Sequence, residues 1–208
     1  MEKTDTQILN DSLSDLESSN FNNGIIQDNK LVFSVGDKSF RVRMPSQSEQ
    51  SIVDNKRNIA QLEYIKAEGC ITKKQLIHLL KEKGVFDVEQ VEEQREALTK
   101  ELKQYWFMLA TKSSENTQGI EDLKVKINDV QNKLKSIAID IATQLAPSLE
   151  SRLEKFTVEY ICFLCTDVLN GKEWVRAWES FDDYKKEGSE LTDRCSCNMT
   201  WLLLNKRV

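Results

Sequence analysis

Four of the five cysteines fall in two short spacings, Cys162-x-x-Cys165 and Cys195-x-Cys197. Four thiolates of this kind can hold a tetrahedral zinc. The first pair, however, stands inside the apolar run Tyr160-Ile161-Cys162-Phe163-Leu164-Cys165, which has helical spacing and no tight loop. Unligated cysteine is among the most buried residue types, so the core reading is preferred and no cofactor or metal is expected. Whether the four cysteines ever bind metal stays open at this point. A redox C-x-x-C would sit where a strand gives way to a helix, and this one falls within a helix.

The remaining chemistry-bearing residues are sparse or solvated. His78 is the only histidine and stands between Ile77 and Leu79, so no His-based cluster or relay can form. A structural, partly exposed histidine is expected. The carboxylate pairs Glu92-Glu93, Glu121-Asp122 and Asp182-Asp183 are adjacent in sequence. Neighbours on a helix diverge by about 100° and do not converge on a cleft. There is no Gly-rich phosphate loop, no G-x-S-x-G and no H-E-x-x-H. The chain is therefore expected not to be an enzyme. Trp174, Trp178, Phe181 and Tyr184 lie at helical spacing and read as core or as a docking patch, since Trp and Tyr dominate interface hot spots.

The elements that would carry these residues follow from periodicity. Leu31, Phe33 and Val35, then Phe40, Val42 and Met44, alternate with period two around Gly36-Asp37, which predicts a β-hairpin. Ser46 and Glu49 form a capping box that opens a helix with the apolar set Ile52, Val53, Ile59, Leu62 and Ile65, closed by Gly69. Thr72 caps a shorter helix carrying Leu76, Ile77, Leu79 and Leu80, closed by Gly84. Two heptad seams follow: Val88, Val91, Arg95, Leu98, Leu102, Tyr105, Leu109, and then Ile120, Leu123, Ile127, Val130, Leu134, Ile137, Ile141. A polar stretch from Thr111 to Gly119 joins them and predicts an antiparallel helical hairpin. Each arm is about 33 Å long at ~1.5 Å per residue. Arg95 is the charge within the first seam and either snorkels outward or marks a docking point. After Pro147-Ser148 a helix is expected through Leu149, Leu153, Phe156, Tyr160, Leu164 and Val168, stopping near Asn170-Gly171. A shorter helix is expected to carry Trp174, Val175, Trp178 and Phe181 on one face, before a final apolar run from Trp201 to Leu204.

The fold class expected is thus mainly α: an N-terminal β-hairpin, then a helical bundle with a long antiparallel helical hairpin. The divisions are a flexible tail over 1–29, the β-hairpin with two helices over 30–86, the helical hairpin over 87–146, and a Trp- and Cys-rich helical segment over 147–208. Composition agrees. Seven Gly and two Pro among 208 residues favour long helices, and 39% hydrophobic content supports a core. The formal net charge is −5, and the basic stretch Lys73, Lys74, Lys81, Lys83 is too short for a nucleic-acid face. The start lacks a signal-peptide pattern, and no apolar run approaches the ~20 residues of a membrane span. An odd cysteine count without framework spacing fits a reducing compartment, so a cytoplasmic location is expected.

The run Leu31 to Ser46, LVFSVGDKSFRVRMPS, leads from the hairpin through Met44-Pro45-Ser46 directly into a helix. This opening resembles that of tail-assembly proteins of contractile-tailed phages. With its length and helical remainder, the chain looks most like the baseplate hub assembly proteins of the T-even type. The resemblance covers about the first third of the chain. It implies a late viral protein of the host cytoplasm that helps assemble the central hub of the tail baseplate by binding other tail or hub proteins, as a chaperone or scaffold. It supplies no catalytic residues. The candidate partner-binding residues are Trp174, Trp178, Phe181, Tyr184 and Arg95. Two other readings stand beside it: a permanent structural subunit of the baseplate, and a regulatory or nucleic-acid-associated adaptor using the helix from Thr72 to Lys83.

Overall fold

The computed structural model describes residues 25–27, 30–67, 69–111 and 117–205. The expected tail over 1–29 lies outside them except for a short strand. The protein is mostly helical, with seven helices and five strands among the described residues. The described residues divide into two compact units, one within 71–148, the other within 25–70 together with 149–205.

The second of these, the sheet unit, holds one antiparallel sheet in the order β1 (Ile25–Gln27), β2 (Lys30–Val35), β3 (Lys38–Arg43), β4 (Thr166–Asn170), β5 (Glu173–Arg176). The expected hairpin is β2–β3, turning at Gly36, whose φ of 57° lies in the left-handed region that glycine tolerates. Alternation places Leu31, Phe33, Phe40 and Val42 on one buried face. Phe33 and Phe40 are cross-strand partners and their rings stack at 5.8 Å.

Three helices pack with this sheet. Helix α1 (Gln47–Lys66) begins at the Ser46–Glu49 capping box, as the sequence indicates. Helix α5 (Leu149–Cys165) buries six consecutive residues, Tyr160 to Cys165. Helix α7 (Ser189–Asn205) lies on β2, β3 and α5 and turns Leu191, Cys195, Met199 and Leu202 inward.

Two expectations for the C-terminal segment are corrected. The helix predicted to reach Val168 ends at Cys165, and the chain passes straight into β4. The predicted Trp-bearing helix is instead strand β5, a link, and the short helix α6 (Phe181–Lys186). Apolar residues at Leu164 and Val168 continue the helical spacing, but Asn170 pairs with Glu173 across a two-residue turn in which Gly171 has φ 63°. Pairing of Phe40 with Val168, and of Val42 with Thr166, holds this second hairpin against the first. The segment 147–208 is therefore part strand.

A third correction concerns α1. Of the set Ile52, Val53, Ile59, Leu62 and Ile65, only Val53 is buried. Ala60 is the other buried position, packed with Leu149 and Leu153 of α5 beside Tyr64 and Phe156. A small residue at the crossing lets two helices approach closely, and this selects the Val53–Ala60 face over the more apolar one.

The other unit contains α2 (Lys73–Glu82), α3 (Val88–Thr111) and α4 (Thr117–Leu145). Thr72 and Gln75 close a capping box on α2. Helices α3 and α4 pack along their lengths. Leu123, Ile127 and Val130 are buried and the other α4 seam residues half-buried. On α3 every seam residue except Arg95 is half-buried. The Lys126 ammonium sits 5.9 Å from the centroid of the Tyr105 ring. These two residues lie almost equally far in sequence from position 115, the antiparallel register that the equal seams predict.

Candidate protein-docking surface

The aromatic residues singled out in the sequence are split by the fold. Trp178 is buried, its indole N–H donates to Glu187 Oε2 at 3.1 Å, and Tyr184 meets it edge-on at 4.9 Å. Phe181 stacks on Tyr184 at 5.8 Å and touches the rings of Tyr160, Phe156 and Phe163. Such ring pairs add about 0.5–1.5 kcal/mol each beyond area burial. Burial also pushes the Tyr184 phenol up from its ordinary pKa. Trp178, Phe181 and Tyr184 are thus core residues of the sheet unit. Trp174 is separate: it lies half-buried on β5 with the Arg41 guanidinium 4.8 Å over its ring. Arg95 lies in the helical-hairpin unit, exposed and paired with Glu92 at 2.7 Å. It has left the seam by snorkelling, since a guanidinium between two apolar helices would lose its water. The four aromatic residues do not form one exposed patch.

The arginines of β3 are clasps within the sheet unit. Arg41 reaches Asp167 of β4 at 2.6 and 3.0 Å. Arg43 grips Glu49 with two parallel bonds of 2.6 and 2.8 Å, and its Nη2 also donates to the Leu164 carbonyl at 3.4 Å. Glu49 accepts in turn from the Ser46 N–H and hydroxyl. The Arg43 bonds, with those from Ser46, hold the Glu49 carboxyl down at about 2, against its ordinary 4.5. Both arginines join the hairpin to neighbouring elements, Arg41 to β4 and Arg43 to α1.

Three of the five cysteines lie in the core. Cys162, Cys165 and Cys195 are buried, and burial pushes the thiols of Cys165 and Cys195 up to about 12. Cys197 is exposed. Among the described residues no group of three or more His, Cys, Asp or Glu could hold a metal ion. His78 is exposed, 3.4 Å from Glu82.

What sequence reading missed is the face left open. Ile52, Ile59, Leu62 and Ile65 of α1 are 46, 50, 59 and 52% exposed. They span about 20 Å of the helix at ~1.5 Å per residue, and at ~100° per residue they wind around roughly 140° of its circumference. In the other unit, Phe107 and Met108 are exposed near the end of α3. Single exposed apolar residues are unremarkable, but four branched aliphatic side chains winding along one helix make a strip. Their apolar character is visible in the sequence; their exposure depends on which face α5 covers. Among the described residues, no helix is long and apolar enough to cross a membrane. Compared with family profiles, curated proteins and solved structures, the chain matches none.

Proposed function

We propose that the protein is a non-enzymatic assembly factor that binds other proteins through the α1 strip. The occupant is an amphipathic helix of a tail component. The observation that carries this reading is the exposed set Ile52, Ile59, Leu62 and Ile65 on a helix whose Val53–Ala60 side is fixed to a folded core. Water-facing branched aliphatics in this number are costly to keep exposed, and covering them supplies a driving force for association. A strip of four half-exposed side chains is far smaller than the ~800 Å² per partner of a standard stable interface. That favours transient shielding and release over permanent assembly.

The resemblance of Leu31 to Ser46 to phage tail-assembly proteins gives the finer reading: a late chaperone or scaffold for the central hub of the tail baseplate, working in the host cytoplasm. The test is fractionation of infected cells. An assembly factor is found with hub intermediates and is missing from purified particles. Recovery in particles at fixed stoichiometry supports the permanent baseplate subunit instead. The nucleic-acid adaptor is the weaker reading, because Lys81 is already held by Asp87 and Glu89 and the basic stretch of α2 is correspondingly reduced. A salt-dependent DNA-binding assay tests it.

A further inference from the structure

Strand β5 is the last strand of its sheet among the described residues. One of its edges is paired with β4 and the other is open. In an antiparallel ladder, pairs that exchange N–H and C=O bonds alternate with pairs whose groups point away from each other. The Ala177 N–H donates to the Thr166 carbonyl at 3.0 Å, which fixes the phase. Counting by twos, Val168–Val175 and Asn170–Glu173 are bonded pairs, while Asp167–Arg176 and Leu169–Trp174 are not. The backbone N–H and C=O groups of Trp174 and Arg176 therefore face the open edge.

Such an edge is a template for a further strand, and β5 is complementary to itself. A two-fold axis through Val175, perpendicular to the sheet, lays β5 antiparallel to its own copy with Trp174 opposite Arg176 of the second copy, twice over. These are the two residues whose backbone groups face outward, so both pairs are bonded pairs. The side chains fit the same register. Arg176 is exposed and has no ion pair among the described residues, and the Phe163 ring is 5.9 Å from it, at the limit of a cation–π contact. An indole face is the best aromatic partner for a guanidinium. Trp174 already carries the Arg41 guanidinium at 4.8 Å, a charge that Asp167 compensates at 2.6 Å. Val175 is 39% exposed and meets its own copy at the axis, in the non-bonded position where side chains lie closest. Charges on an edge deter foreign strands. In this register neither charge of β5 meets its like, since Glu173 stands opposite Ala177 and Arg176 opposite Trp174. The self-pairing satisfies every outward backbone group of the strand, which selects a second copy over a foreign segment.

We propose that β5 is a homodimerisation edge, joining the sheets of two copies into one continuous sheet. It uses no residue of the α1 strip and so goes beyond the reading above. The edge is four residues long and far smaller than the ~800 Å² per partner of a standard stable interface, so the dimer forms and dissociates with concentration. The full-length chain is followed by sedimentation velocity from dilute to near-millimolar solution, where a monomer–dimer equilibrium is expected. Arg176→Pro removes an outward N–H and the guanidinium but no bond to β4. It should weaken the dimer by at least about tenfold and leave the melting temperature nearly unchanged. In a Cys197→Ser background, which removes the exposed native thiol, Val175→Cys should cross-link two copies on mild oxidation, and Glu173→Cys should not. The Ile59→Asp/Leu62→Asp variant should dimerise as the native chain does, so failure of the α1 strip and failure of this edge can be told apart. A chain that is monomeric throughout, a dimer unaffected by folded Arg176→Pro, or no cross-link through position 175 would overturn the proposal. Loss of the dimer in the strip variant would overturn it in favour of pairing through α1. If Arg176→Pro does not fold, the cross-link decides.

Discussion

Replacing Ile59 and Leu62 of α1 with Asp puts the proposed function at greatest risk. Burying a whole Leu or Ile side chain is worth about 1.5–3 kcal/mol. Each residue of the strip is already about half covered, so completing its burial is worth roughly 1 kcal/mol, or ~3–5 kcal/mol for all four. At about 1.4 kcal/mol per tenfold, that corresponds to a few hundred- to a few thousand-fold in affinity. The double variant forfeits roughly 2 kcal/mol of this and adds the cost of desolvating carboxylates, so capture of hub proteins should weaken by at least ~30-fold. Folding should hardly change, since exposed substitutions usually stay within about 0.5 kcal/mol per site. The melting temperature should then move by only a few degrees at ~2–4 °C per kcal/mol. Val53→Ala is the control: Val53 is fully buried, so that change should lower the melting temperature more and leave capture intact while the chain is folded. The assay is a thermal melt beside co-expression capture. Unchanged capture by the double variant refutes the docking strip, and a collapse in melting temperature larger than that of Val53→Ala shows the strip to be part of a core.

Three other outcomes are expected. Cysteines placed at Leu98 and Leu134 should cross-link within one chain on oxidation, and Leu134→Asp should lower helicity; cross-links only between chains would refute the intramolecular hairpin. Glu49 has a folded pKa held below its unfolded value, so the stability it contributes is present above about pH 4.5 and is lost as the pH falls toward about 2. Urea midpoints of the native chain should therefore exceed those of Glu49→Gln by a constant margin near neutrality, and the gap should close across that window; a gap independent of pH would show that the Arg43–Glu49 pair is not its source. With a thiol reagent at pH 8, Cys197 should react first, while Cys162, Cys165 and Cys195 should react only on unfolding, because burial holds them as thiols. Early labelling of Cys162 in native protein would contradict their placement in the core.

The sequence by itself determined the elements whose signals are local. The β2–β3 hairpin is written in a period-two alternation around Gly36, and α1 and α2 open at capping boxes formed by residues three apart. The α3–α4 hairpin is written in two seams of equal length, because a heptad repeat records its own partner face. Arg95 shows the limit of this: periodicity located it in the seam, and only packing against α4 turned it outward to Glu92. Tertiary structure decided the rest. Thr166 to Val168 keeps helical spacing with α5 and is strand because β3 offers a ladder to it, with Gly171 turning the chain back. The same apolar spacing serves both outcomes, so periodicity could not choose between them. Trp174, Trp178, Phe181 and Tyr184 look alike in sequence, yet one lies under Arg41 on the sheet and the others fill the core. Helix α1 has apolar residues on two sides, and the close crossing at Ala60 settled which side α5 covers. The side left uncovered became the candidate docking strip, since exposure is a relation between elements separated in sequence and no local pattern encodes it.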